Sequence, residues 1–89
     1  MHHPELIRIS DVCAQTGRKK TSIYNLIGKN LFPKPLRFGP RMARWPRHEV
    51  DGVLAAMIRG ASDDEIRELV VELAEQRATF GASTLANAQ

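Results

Sequence analysis

The segment Thr16-Gly17-Arg18-Lys19-Lys20-Thr21-Ser22-Ile23-Tyr24-Asn25-Leu26-Ile27-Gly28-Lys29-Asn30-Leu31-Phe32-Pro33-Lys34-Pro35-Leu36-Arg37-Phe38-Gly39-Pro40-Arg41-Met42-Ala43-Arg44-Trp45 joins a short amphipathic helix to a Gly-Pro hairpin studded with arginine. No Asp or Glu occurs between Val12 and His48, whereas Arg18, Lys19, Lys20, Lys29, Lys34, Arg37, Arg41, Arg44 and Arg47 all fall there. A block of one sign this long would repel itself and stay unfolded. Here it is interleaved with Ile23, Leu26, Ile27, Leu31, Phe32, Phe38 and Trp45, which supply apolar surface to pack. A folded, positively charged surface suits a polyanion, above all a nucleic acid.

Within this segment a helix is expected from about Lys19 or Lys20 to Gly28. Ile23, Leu26 and Ile27 stand at i, i+3 and i+4 and form its apolar stripe. Thr21, Asn25, Gly28 and Lys29 point the opposite way, with Ser22 and Tyr24 on the flanks. Upstream, Leu6-Ile7-Arg8-Ile9 reads as an extended lead-in or small strand. Ser10 is placed to cap a first helix, with Asp11 in its first turn, and Gly17 stops that helix after about Thr16. Val12 and Cys13 are its expected buried residues. Two short helices joined by a Gly-containing turn make a helix-turn-helix. The polar, short-chained face of the second can enter a major groove and bond base edges; a solvated helix face is the alternative.

After the second helix, Asn30 suits a left-handed cap and Leu31-Phe32 return to the core. Pro33 and Pro35 forbid a helix. Leu36-Arg37-Phe38 and Ala43-Arg44-Trp45 flank Gly39-Pro40-Arg41-Met42, a β-hairpin with Pro40 and Arg41 near its tip. Alternation sets Leu36 and Phe38 on one face and Arg37 on the other. Such a wing can lay arginines along a phosphate backbone or in a minor groove; a capping hairpin is the alternative. Trp45 is expected as a core anchor. A third helix runs from Pro46 to about Arg59, with Val50, Val53, Leu54, Met57 and Ile58 as its stripe and His48 at the surface. Gly60 ends it. Ser62-Asp63-Asp64-Glu65 is a capping box opening a fourth helix of about sixteen residues, striped by Ile66, Leu69, Val70 and Leu73, with Arg77 and Phe80 in line beyond.

Eighty-nine residues, 43% of them hydrophobic, make one small domain with a marginal core. The net charge of +3 conceals a split. Asp63, Asp64, Glu65, Glu68, Glu72 and Glu75 face only Arg67 and Arg77 in residues 60–89, so the acidic part and the basic part have different tasks. The acids with arginines between them read as a solvated helix face. No apolar run approaches a membrane span of roughly 18 residues, and His2, His3 and Pro4 precede only a short apolar patch, so neither a membrane anchor nor a signal peptide is expected. One cysteine, Cys13, fits a reducing cytoplasm. His2, His3, His48 and Cys13 have no metal-ligand spacing, no phosphate-binding loop is present, and no catalytic arrangement or cofactor is expected.

Six motifs, Leu6-Ile7-Arg8-Ile9-Ser10-Asp11-Val12, Thr16-Gly17, Thr21-Ser22-Ile23-Tyr24-Asn25-Leu26-Ile27, Phe32-Pro33-Lys34-Pro35, Gly39-Pro40-Arg41 with Arg44-Trp45, and Glu49-Val50, resemble in order and spacing the AlpA family. These are small prophage-associated regulators whose winged helix-turn-helix is similar to MerR and excisionase domains. The resemblance covers about Leu6 to Ile58. It implies DNA binding by the second helix and the wing, and transcriptional regulation, commonly of an integrase or excision gene, or an architectural role in excision. Arg18 and Lys19 depart from the pattern, since the family has an apolar residue and then a Ser or Thr cap there. The helix after Gly60 lies outside it.

The expectation is therefore a mainly α chain with a small β-hairpin: a winged helix-turn-helix over 1–59, an additional C-terminal helix over 60–80 and a disordered tail over 81–89. Residues Arg18, Lys19, Lys20, Thr21, Ser22, Tyr24, Asn25, Lys29, Arg37, Arg41 and Arg44 are the candidate DNA-binding set. The expected partner is double-stranded DNA, with a homodimer through 62–80 and a recombinase or RNA polymerase as further candidates, in the cytoplasm at the nucleoid. A recombination directionality factor, or a protein-interaction module recruiting through its acidic helix, are the competing functions. The apolar stripe of the fourth helix can pair two copies or cover Val53, Leu54 and Met57 of its own chain.

Overall fold

The computed structural model describes residues 5–80; the tail expected over 81–89 lies outside the described residues. The elements in order are β1 (Leu6–Ile7), α1 (Ile9–Thr16), α2 (Lys20–Gly28), β2 (Leu36–Arg37), β3 (Ala43–Pro46), α3 (Arg47–Ile58) and α4 (Asp63–Thr79). This is a winged helix-turn-helix followed by one further helix, as the patterning implies.

Each boundary has a local cause. The first helix opens at Ile9, with extended Arg8 at its cap, so Ser10 lies inside the first turn and not at the cap. Asp11 decides this: its carboxylate accepts from the Arg8 N–H at 3.1 Å and fixes the start there. Gly17, at φ 72°, ends α1 by donating its N–H to the Cys13 carbonyl. The α2 helix ends in a Schellman arrangement. Asn30 takes φ 62°, its N–H bonds the Ile27 carbonyl, and the Leu31 N–H reaches back to Leu26 at 2.8 Å. Ser62 and Glu65 exchange the two bonds of a capping box at the start of α4, at 3.2 and 2.8 Å. The Ser62 N–H held by the Glu65 carboxylate keeps that group below its ordinary pKa.

The lead-in strand does more than introduce α1. It pairs antiparallel with β3, Leu6 opposite Pro46 and Ile7 opposite Trp45, so β3 becomes the centre of a three-stranded sheet of order β1-β3-β2. The hairpin pairs Leu36 with Arg44 and Arg37 with Ala43. Its tip is closed by the Met42 N–H toward the Gly39 carbonyl, which leaves Pro40 and Arg41 at the two central turn positions.

Trp45, fully buried, anchors the core with Ile7, Val12, Ile23, Phe32, Val50, Val53 and Ala56. Its indole N–H donates to the Pro33 carbonyl at 2.9 Å, so the ring is satisfied as well as packed. Two expected core residues lie outside. Phe38 is 53% exposed: its N–H donates across the hairpin to the Met42 carbonyl at 2.9 Å, next to the turn and beyond the last paired residues, Arg37 and Ala43. Ile58 is 79% exposed, because the buried face of α3 follows Val50, Val53 and Ala56 and turns away before Ile58. Cys13 is half-buried against the core.

The α4 helix folds back on its own chain. Ile66 and Leu73 are buried, with Leu69 and Val70 half-buried against the same core. The stripe thus covers α3, which completes the core of a chain this short. Arg77 continues the inward stripe of α4, as expected, whereas Phe80 at its end is exposed. Arg77 binds Glu49, a carboxylate 1% exposed, through Nε and Nη2 at 2.8 and 2.6 Å, and its Nη2 also donates to the Lys34 carbonyl at 2.7 Å.

Candidate nucleic-acid interface

The first turn of α2 sets one wall of a groove. Its cap residue, Lys19, is extended, and no side chain accepts from the first-turn N–H groups; no acid lies in that turn either. These donors and the positive end of the helix dipole therefore face outward beside Arg18, Lys19 and Lys20, all exposed. Arg18 reaches forward along the helix to the Ser22 hydroxyl at 3.3 Å.

The second wall is the hairpin and the floor is the start of α1. Together they form a cleft of about 310 Å³ lined by Arg8, Ile9, Ser10, Lys20, Tyr24, Arg37, Arg41, Ala43 and Arg44. Five of these nine residues are basic, and among the described residues no acid lines the cleft. Tyr24 is held edge-on to Trp45, ring centroids 6.2 Å apart, which ties α2 to the strand that carries Arg44. Arg44 donates to the Ala43 carbonyl at 2.9 Å, a bond that turns its guanidinium back along the strand. Arg47, another cation of the block, pairs with Glu5 at 3.0 Å.

The fold thus gathers Lys20, Tyr24, Arg37, Arg41 and Arg44 of the expected set around one cleft. Thr21 and Asn25 lie exposed on the outer face of α2, Ser22 is half-buried under Arg18, and Lys29 is exposed at the far end of the helix. Arg18 and Lys19 sit in the turn before α2, outside the cleft lining. Arg8 and Ser10 are additions. Local sequence assigns Arg8 to a strand and Ser10 to a cap. Only the pairing of Ile7 with Trp45 brings the next residue, Arg8, level with Arg44.

Chemically the cleft offers guanidinium and ammonium donors from three elements, a phenol and a hydroxyl, with the uncapped N–H groups of the α2 start beside it. Such donors match phosphate oxygens in number and sign. A family model described as prophage CP4-57 regulatory protein (AlpA) matches residues 5–56, which contain every residue of the cleft. The chain belongs to the AlpA family. Comparison with curated proteins and with solved structures finds no match. The AlpA match ends two residues before the end of α3, so α4 is an addition to the matched region. It is a family of prophage regulatory proteins, and among the described residues no helix is long and apolar enough to cross a membrane.

Proposed function

We propose that this AlpA-family chain is a sequence-specific DNA-binding transcriptional regulator of a prophage or mobile element. The observation that carries the reading is the acid-free cleft in which α2 and the hairpin share one basic surface. The α2 helix, about 10–12 Å across with its side chains, suits a major groove about 12 Å wide. Asn25 and Thr21 on its exposed face supply base-edge donors and acceptors, and Asn25 suits a bidentate pair with adenine. Arg37, Arg41 and Arg44 of the wing, with Arg8 and Lys20, take the phosphate backbone or the neighbouring minor groove. The missing cap at Lys19 fits this assignment. A Ser or Thr there would satisfy first-turn N–H groups that a phosphate can take instead.

The test is selection of bound duplexes from a random pool with the full chain, followed by affinity measurements on the recovered and on random duplex. Recovery of one motif, bound at least about a thousandfold more tightly than random DNA, supports the reading. Recovery of no motif, with equal affinity for all duplexes, refutes sequence-specific regulation. Binding restricted to sites where a recombinase acts would assign the same surface to excision.

A further inference from the structure

Two arginines of α4 bond to the two ends of the link between α2 and the wing. Arg67 Nε donates to the carbonyl of Lys29, the residue that caps α2, at 3.0 Å. Arg77 Nη2 donates to the carbonyl of Lys34, two residues before β2, at 2.7 Å. Both guanidinium groups are themselves held, Arg67 by Asp64 at 3.2 Å and Arg77 by buried Glu49. Between the two carbonyls, Leu31, Phe32 and Pro33 are buried. Ten residues of α4 rise about 15 Å, and the five-residue step from Lys29 to Lys34 extends to at most about 17 Å, so one straight helix can serve both ends.

We infer that α4 is a positioning element for the interface: through Arg67 and Arg77 it sets the distance and angle between α2 and the hairpin wing. The inference rests on the DNA-binding reading for its functional part. Electrostatics alone assigns α4 the opposite effect. Its acids, Asp63, Asp64, Glu65, Glu68, Glu72 and Glu75, repel a polyanion, so a helix acting only through its field weakens binding. A helix that spaces two DNA-contacting elements strengthens binding to the matched sequence and leaves random DNA indifferent. Neither arginine needs to touch DNA for this.

Arg67→Lys and Arg77→Lys, singly and together in the full chain, separate the two roles because they keep the charge. Lysine has no planar fork, so it cannot bond Glu49 twice and reach the Lys34 carbonyl as well. Arg67, with a side chain 42% exposed, lies outside the core, so its variant reports even where Arg77→Lys unfolds the chain. Amide hydrogen exchange comes first. Amides of residues 30–37 are expected to exchange about tenfold faster, with those of α1 unaltered. Affinity for the selected duplex is expected to fall about three- to tenfold, while random-duplex affinity and salt slope stay the same. Unaltered exchange over 30–37 overturns the inference. So does faster exchange there with undiminished affinity for the selected duplex, or an equal loss on both duplexes. Failure of the underlying reading is distinct: the unmutated chain would then bind no duplex selectively, while the exchange result still decides whether α4 holds the link.

Discussion

Arg77→Met tests the buried ion pair that joins α4 to the rest of the fold. Glu49 is 1% exposed and receives two guanidinium bonds, and the same guanidinium holds the Lys34 carbonyl. Removing the cation strands a buried carboxylate, which costs about 3–5 kcal/mol where the site stays dry. Two features here point to the lower end of that range. The Arg77 side chain is 25% exposed, and a cleft of about 340 Å³ lined in part by Leu6, Leu36, Pro46, His48 and Phe80 adjoins the pair, so water can reach Glu49 once the guanidinium is gone. A loss of about 3 kcal/mol is therefore expected at neutral pH, a large part of the roughly 4–11 kcal/mol of a domain this size. The midpoint of thermal unfolding should fall by about 12–24 °C. Glu49→Gln combined with Arg77→Met removes the stranded charge and should recover about half of the loss. Urea unfolding of the unmutated chain, Arg77→Met and the double variant, with the slope checked for constancy, measures all three. A loss under about 1 kcal/mol for Arg77→Met, or a double variant as unstable as the single one, refutes the reasoning.

The remaining predictions concern the interface and the start of α4. Asn25→Ala should cost about 1–3 kcal/mol on the selected duplex and relax preference at one base position; equal losses on selected and random DNA would exclude base reading by Asn25. Arg41→Ala should weaken binding to all duplexes and reduce the salt slope by about one, and an unchanged slope with unchanged affinity would make the hairpin structural only. Glu65 has a folded pKa depressed chiefly by the Ser62 N–H, so its contribution is fully present above the ordinary carboxylate value and is lost as pH falls through the depressed folded value. The Ser62 amide proton shift, followed by NMR, should titrate below the ordinary glutamate value, and a midpoint at that value would contradict the capping bond.

Local chemistry wrote most of the element boundaries into the sequence. Gly17, Asn30, Gly60 and the Ser62-Glu65 box act on neighbours within five residues, so their bonds follow from spacing alone. Periodicity identified Ile23, Val50 and Val53 as core, and the absence of acids between Val12 and His48 marked the basic surface. Where local cues competed, the reading slipped. Ser10 suited the cap of α1, but the helix opens at Ile9 because the Asp11 carboxylate reaches the Arg8 N–H from the first turn. Phe38 has the alternation of a strand residue, yet it sits next to the hairpin turn and its ring is exposed.

The sequence by itself determined the helices, the hairpin and the charge that suits them to a polyanion, because caps, stripes and turns depend on residues close in the chain. Tertiary structure alone decided that Arg8 joins Arg44 at one cleft, that Glu49 is buried under Arg77, and that α4 reaches the link between α2 and the wing. Those juxtapositions join residues 28 to 43 positions apart. No periodicity encodes such separations. They arise when Trp45 is buried at the centre of the sheet and the apolar stripe of α4 closes over α3, and the charged groups carried on those surfaces meet as a consequence.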